Sequence, residues 1–305
     1  DARRVCQKLD IPHYVMNFRE DFEKHVIDYF VDEYRKGRTP NPCIACNRYV
    51  KWESMLQKSL QLGAKYIATG HYARISKDEE TGRYTLRQSA TLAKDQTYAL
   101  YNLTQHQLAH TLMPLGDYTK EEIRDIAKQI GLAVATKPDS QEICFIPDNN
   151  YAKYITENID GENKEGNFVD TKGNVIGRHK GIIHYTIGQR RGLGISAEKP
   201  LYVIEINPIT NEVVIGDNTD VFQHKVYVEQ LNFMPFETLP PGKMELTAKI
   251  RYSHKPASCT VEMIDKDTMI CVFKEAQRAV TPGQALVLYQ EDVVVGGGTI
   301  IKGEN

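Results

Sequence analysis

The spacing of apolar residues changes period part-way along this chain, and that change restricts the fold more than any single motif. In the first half apolar residues return every fourth position. Phe22, Val26, Phe30 and Tyr34 form one such series and Trp52, Leu56 and Leu60 another, with Gly37 and Gly63 as stops. That is the stripe of an amphipathic helix closed by a glycine. Beyond about residue 165 the spacing becomes two. Leu246, Ala248 and Ile250 alternate with Thr247, Lys249 and Arg251, and Cys259 to Met263 alternates again before an Asp265-Lys266-Asp267 turn. Strand side chains alternate between faces, so this part predicts a small β-barrel or sandwich. Leu201 to Ile206 and Glu212 to Ile215 read as strands joined by a turn at Pro208 to Asn211.

Short strands lie between the early helices: His13 to Phe18, and Tyr66-Ile67-Ala68-Thr69, which stops at Gly70-His71-Tyr72. Thr119-Lys120-Glu121-Glu122 has the capping-box pattern and opens a helix that runs to Gly131. Helices alternating with strands imply an α/β domain with a parallel sheet, whose ligands gather at the C-terminal strand ends. The turn-rich stretches Pro147 to Asn150 and Asp160 to Gly166 mark a boundary. Three units are expected: residues 1–148, 149–219 and 220–305. The first residues already read as helix, with no N-cap and no preceding strand, so the α/β unit is expected to lack its N-terminal part.

The formal net charge of −2 does not announce a nucleic-acid partner, and any basic surface has to be local. No run is apolar and long enough to span a bilayer, and no signal-peptide pattern is present, which makes the cytoplasm the expected location and a membrane partner unexpected. Six cysteines are too few and too scattered for a disulfide scaffold, so a close pair points to catalysis or metal binding. That pair is Cys43 and Cys46, in a proline-rich loop from Thr39 to Asn47. An amphipathic run starts directly after Cys46, which puts this thiol near a helix N-terminus, where the dipole favours thiolate.

Several chemistries stay open at this point. Cys43 and Cys46 have the spacing of half a zinc site, but no second Cys-x-x-Cys exists. A redox disulfide pair lacks the expected strand context. With Cys144 they could hold an iron–sulfur cluster with one iron left open. Taken alone, Cys144 between Ile143 and Phe145 reads as a packed hydrophobe, as do Cys6, Cys259 and Cys271. His71 after a strand could be a base, a ligand or a stacking ring. Lys94-Asp95-Gln96-Thr97-Tyr98 is a polar run bordering an apolar stretch, and it could face a cleft. Thr186 to Gly194 combines glycines with Arg190 and Arg191, which suits a phosphate or a plain hairpin turn. Arg251-Tyr252 pairs a cation with a ring able to stack on a base.

Taken together, these segments resemble one family, the tRNA-specific 2-thiouridylases (the MnmA/TrmU family). The matching stretches are Gly37 to Pro42, Cys46-Asn47, Ala68 to Arg74, Lys94 to Tyr98, Asp139-Ser140, Ile143 to Ile146, Tyr185 to Arg190, Gly192 to Gly194 and Thr281 to Gln284, in family order. The resemblance implies a PP-loop ATPase fold of the adenine-nucleotide alpha-hydrolase type, a central domain and a C-terminal β-barrel. It implies ATP, with Mg2+, activating the 2-carbonyl of the wobble uridine in the anticodon arm of tRNA. A persulfide delivered by a sulfur-relay or cysteine desulfurase protein then supplies the sulfur. By motif match Cys46 is the nucleophile and Cys144 carries the persulfide, and the two can form a disulfide. Asn41, Pro42 and Cys43 line the target base, Gly70 contacts the nucleotide, and His71, Lys94, Asp95, Gln96, Arg251, Tyr252 and Gln284 match tRNA-contact positions.

Two departures stand out. Many family members carry an aspartate where this chain has Cys43. That leaves open a cluster-dependent thiolase using Cys43, Cys46 and Cys144, with a 4Fe-4S cluster as a further cofactor. The family's Ser-Gly-Gly-Val-Asp-Ser type phosphate loop does not occur in the sequence. Residues 1–305 alone are therefore expected to bind ATP weakly and to stop short of turnover, which leaves a non-catalytic tRNA-binding piece as the alternative. A normal thiolation rate from this polypeptide would contradict that expectation.

Overall fold

The computed structural model describes residues 1–137, 143–148, 150–158 and 163–305. The Asp139-Ser140 match, Asn149 and the Asp160 to Glu162 part of the boundary turn lie outside the described residues.

The first unit is helical where the four-residue spacing predicts it. After α1 (Ala2–Leu9), the segments Arg19–Phe22, Glu23–Asp28 and Tyr29–Arg35 run on as one helix, α2, with a π-wound middle. Val26, Phe30 and Tyr34 are buried along its inner stripe, and Gly37 ends it at φ 70°. Pro42–Ala45, Cys46–Met55 and Leu56–Gln61 form a second continuous helix, α3, again π-wound in the middle. Trp52 and Leu56 lie in the core beneath it.

Among the described residues the parallel sheet of this unit is confined to β1 (Ile67–Ala68) against β4 (Thr111–Leu112). The expected strand His13 to Phe18 is not formed. Its residues carry no strand pairing, and Tyr14 and Val15 are largely exposed. A strand forms where a neighbour supplies the ladder, and no described strand lies beside this segment.

Tertiary context also redirects the hairpin β2 (Ala73–Lys77) and β3 (Tyr84–Gln88), which leaves the first unit and joins the C-terminal sheet. Between this hairpin and β4 lie two 3-10 turns, Leu92–Lys94 and Thr97–Leu100, and helix α4 (Gln105–Ala109). Helix α5 (Lys120–Gln129) opens on the predicted capping box: the Glu122 N–H donates to Thr119 Oγ1 at 3.2 Å, and the Thr119 N–H to Glu122 Oε2 at 2.7 Å. Thr119→Ala is expected to destabilise by about 1 kcal/mol, read as a shifted denaturation midpoint at unchanged slope. After it comes α6 (Tyr151–Glu157).

The central unit is a sheet of β6 (Val175–His179), β5 (Gly166–Val169), β8 (Glu212–Gly216) and β7 (Tyr202–Asn207), in that order. Phe168, Val203, Val213 and Ile215 fill its core. The predicted turn between β7 and β8 is held by Asn207 Oδ1, which accepts from the N–H groups of Ile209 and Thr210, and Asn211 takes a left-handed φ of 53°.

The C-terminal unit is a closed barrel of β9 (Phe222–Phe233), β10 (Met244–Lys249), β11 (Ala257–Met263), β12 (Met269–Arg278), β13 (Ala285–Gln290) and β14 (Val293–Glu304). The order runs β13-β10-β11-β12-β9-β14, and a β13–β14 pairing closes the ring. Closure needs a close approach at Gly297, where a Cβ would run into the Leu286 carbonyl. Leu246, Ala248, Cys259, Val261 and Cys271 point inward, as the two-residue spacing predicts. Asp292, in the β13–β14 turn, holds the hairpin of the first unit. Arg87 grips it with two bonds at 2.7 and 3.0 Å, Arg74 adds a third at 3.0 Å, and Arg87 above all depresses the Asp292 carboxyl.

Candidate active site

The loop before α3 is fixed from both sides. Asn41 is the N-cap of α3, and its Oδ1 accepts from the N–H groups of Cys43 at 3.1 Å and Ile44 at 3.3 Å. Pro42 occupies the first helical position, where a missing N–H costs nothing and φ is already suited. From the barrel side, the Thr39 N–H donates to the Pro282 carbonyl at 2.9 Å and Gln284 Nε2 to the Thr39 carbonyl at 2.7 Å. Gly283 sits at φ 90° between them, and a Cβ there would stand only 3.0 Å from Arg38 Cβ and the Thr39 nitrogen. Arg251 braces the same barrel loop, donating from Nη2 to Thr281 Oγ1 at 2.8 Å and to the Ala279 carbonyl. Gln284 and Arg251 thus carry protein–protein bonds at the seam between the first unit and the barrel.

Helix α3 starts at Pro42, five residues before the run that the sequence shows directly after Cys46. Cys43 therefore lies in the first turn and Cys46 one turn further in. The sequence after Cys46 carries the visible amphipathic stripe, whereas the capped first turn has no periodic residue to announce it. Cys43 and Cys144 are solvent-touched thiols, Cys46 is half-buried, and all six cysteines are free. Cys144 is not the packed hydrophobe of the isolated reading. Its neighbours do the packing instead: the Phe145 ring lies edge-on to Phe22 and Phe30, and Ile146 is fully buried.

Cys43 and Cys46 both feel the charge of Cys144. Burial is the main cause that pushes Cys43 up from the ordinary thiol range, followed by the charge of Cys144, with Lys51 acting the other way. For Cys46 burial again leads, Lys51 opposes it next, and Cys144 and Cys43 raise it further. The expected helix-terminus thiolate is thus outweighed by desolvation. Among the described residues no group of three or more His, Cys, Asp or Glu side chains is placed to hold a metal ion. The three cysteines converge without forming a cluster cradle, and no metal is assigned to them.

The other sequence candidates surround this recess unevenly. Gly70 is exposed just past the C-terminal end of β1. His71 Nδ1 lies 3.0 Å from Thr69 Oγ1, its ring packs on Trp52 at 5.3 Å, and burial followed by Lys51 lowers its pKa to about 4, so it is neutral at physiological pH. Gln96 holds the strand exit: its Oε1 accepts from the Tyr72 N–H at 2.9 Å, and its own N–H donates to the Tyr72 carbonyl at 3.0 Å. Asp95 is buried, accepting from the Ser89 N–H at 3.1 Å and from Thr97 Oγ1 at 2.6 Å. Lys94 is half-buried in the turn just before it. Tyr252 is 48% exposed, lies edge-on to the buried Tyr98, and feels the charge of Cys43. Arg190 and Arg191 are exposed on a turn of the central unit.

Sequence reasoning passes over two residues here. The charge of Lys51 acts on Cys43 and Cys46 from the π-wound stretch of α3, which no spacing rule anticipates. Lys249, read as an outer-face barrel residue, stands over both the Tyr98 and Tyr252 rings, at 5.8 and 5.6 Å.

Comparison with known proteins agrees with this arrangement. Residues 1–148 match the tRNA methyl transferase HUP domain, 153–217 the tRNA methyl transferase PRC-barrel domain, and 223–300 the aminomethyltransferase beta-barrel domain. The tRNA-specific 2-thiouridylase MnmA of Lachnoclostridium phytofermentans is 63% identical over 302 residues, which is 99% of this chain and 84% of that protein. This chain belongs to the tRNA-specific 2-thiouridylase MnmA family. The MnmA proteins of Clostridioides difficile and Carboxydothermus hydrogenoformans are 57% and 54% identical, each over 99% of this chain and over 83% and 82% of their own lengths. The MnmA fold is thus a HUP domain, a PRC-barrel domain and a β-barrel, and the parallel β1–β4 pair is what the described residues contain of the α/β sheet. Among the described residues no helix is long and apolar enough to cross a membrane.

Proposed function

We propose that this protein performs ATP-dependent 2-thiolation of the wobble uridine of tRNA, acting in the cytoplasm, with residues 1–148, 149–219 and 220–305 as its three working units. ATP would adenylate the uracil 2-carbonyl oxygen, and Mg2+ would arrive on the ATP phosphates. Gly70, at the C-terminal end of a parallel strand, is where such a sheet takes a nucleotide. A persulfide on Cys144, filled by a cysteine desulfurase or relay protein, has its terminal sulfur attack C2, and AMP leaves. The Cys46 thiolate then attacks the Cys144 sulfur and breaks the S–S bond. The uracil keeps the sulfur, which has accepted two electrons, and Cys46 and Cys144 are left as a disulfide. An external dithiol must reduce that disulfide before the next cycle.

The single observation that carries this reading is the approach of Cys144 to Cys46 from almost a hundred residues away, close enough for its charge to raise the Cys46 thiol. Asn41, Pro42 and Cys43 at the head of α3 would line the flipped base, and Tyr252, Lys94, Asp95, Gln96, His71, Arg251 and Gln284 would border the anticodon arm. The test is mass spectrometry of wobble nucleosides from cells whose genomic copy is disrupted and then restored. Loss and return of 2-thiouridine is expected, and an unchanged level on disruption sinks the reading.

Cys43→Asp in the same cells is expected to leave 2-thiouridine within about twofold, because this thiol has no electron-pair role in the steps above. A fall as deep as that of Cys46→Ser would return Cys43 to the sulfur path. Iron and sulfide analysis after anaerobic purification separates the cluster route.

A further inference from the structure

Cys46 opens the π-wound part of α3, and Lys51 lies five residues further along the same winding. In an α-helix those two positions would point about 140° apart. With i→i+5 hydrogen bonding residues five apart return toward one face, and such windings are frequent at functional sites. The lysine is anchored: Nζ donates to Asn47 Oδ1 at 2.9 Å, and Asn47 Nδ2 donates to the Ala99 carbonyl at 2.9 Å. Asn47 is only 3% exposed, so this tether is itself fixed in the core. Its acceptor is a neutral amide, so the positive charge is not cancelled where it is held.

The groups that feel this charge are Cys43 and Cys46 on α3 and His71 beyond β1. Cys144, on the segment beside α2, acts on both cysteines, and Tyr252 of the barrel feels Asp95 and then Cys43. His71 is neutral, and Lys51 is the cation common to Cys43, Cys46 and His71.

We propose that Lys51 is a positioning residue for sulfur transfer, whose tethered ammonium group stabilises anionic sulfur at Cys46 as it attacks Cys144. In that step the negative charge moves from Cys46 to the departing sulfur on the uracil, and a fixed cation beside the path favours both ends of the movement. This inference rests on the thiolase reading for its purpose. The charge at Cys46 is measurable without tRNA or ATP, so the two can fail separately.

The experiment alkylates the purified chain in a Cys43→Ser, Cys144→Ser background and follows the Cys46 peptide by mass spectrometry. It compares the anionic reagent iodoacetate with the neutral iodoacetamide. The ratio of the two rates cancels accessibility and thiolate fraction and reports the local field. Lys51→Met and Lys51→Gln are each expected to lower the iodoacetate to iodoacetamide ratio about fivefold, with Lys51→Arg keeping it within about twofold. A ratio unchanged in both neutral variants overturns the proposal. So does an equal fall in Lys51→Arg, which would make the lysine a structural support for Asn47.

Discussion

Cys46→Ser in the genomic copy is expected to lower wobble 2-thiouridine at least about a thousandfold, to background, and Cys144→Ser to do the same. A serine hydroxyl at neutral pH is a far poorer nucleophile than a thiolate, and it cannot complete a disulfide with its partner. The two losses have different causes. Without Cys144 no persulfide is presented to the activated uracil. Without Cys46 the sulfur reaches the base but stays bonded to Cys144, so a covalent tRNA–protein adduct is expected to accumulate in Cys46→Ser alone. Neither change disturbs the fold, because Cys144 is exposed and Cys46 half-buried, and both variants should retain wild-type tRNA binding. Loss of thiolation without the adduct in Cys46→Ser would mean that sulfur leaves Cys144 before it meets the base.

Trp52→Ala is expected to destabilise the protein by about 3–5 kcal/mol. The side chain is 1% exposed and closes a ring of bonds beneath the cysteine helix. Its indole N–H donates to Thr111 Oγ1 at 2.8 Å, Thr111 Oγ1 donates to the Gln107 carbonyl at 2.6 Å, and Gln107 Nε2 donates to the Trp52 carbonyl at 3.1 Å. Removing the ring leaves a cavity, deprives the Thr111 hydroxyl of its indole donor while its bond to the Gln107 carbonyl stays, and takes away the surface on which His71 packs. Denaturant unfolding should show the midpoint fall at unchanged slope, with Trp52→Phe losing roughly half as much because it keeps most of the volume. A loss under about 1 kcal/mol would mean that α3 is anchored elsewhere.

What the residues announced and what they concealed divide along physical lines. Helices with a strong four-residue stripe, such as the one carrying Val26, Phe30 and Tyr34, were legible because burial of one face both writes the pattern and holds the helix. The barrel was legible in its strands for the same reason: Leu246, Ala248 and Ile250 are buried as they alternate. What was not legible depends on partners distant in sequence. His13 to Phe18 has strand-like residues but no neighbouring strand among the described residues, while Ala73 to Gln88 reads as part of the first unit yet pairs with β14. At the site, the cysteine spacing pointed to thiol chemistry, and the family resemblance linked Cys46 to Cys144. The true start of α3 was hidden because Asn41 and Pro42 carry no periodic signal. Lys51 was hidden because a π winding changes which residues share a face, and Asp95 reads only as part of a polar run that could face a cleft until its two buried donors are seen.

The most direct measurement of the central claim follows one sulfur atom. The purified protein is charged with a cysteine desulfurase carrying labelled persulfide sulfur, and its cysteine peptides are read by mass spectrometry. The expected result is one labelled extra sulfur on the Cys144 peptide in the wild type and in Cys46→Ser, and none on that peptide in Cys144→Ser. Label on Cys43 or Cys46 with Cys144 unmodified would contradict the account.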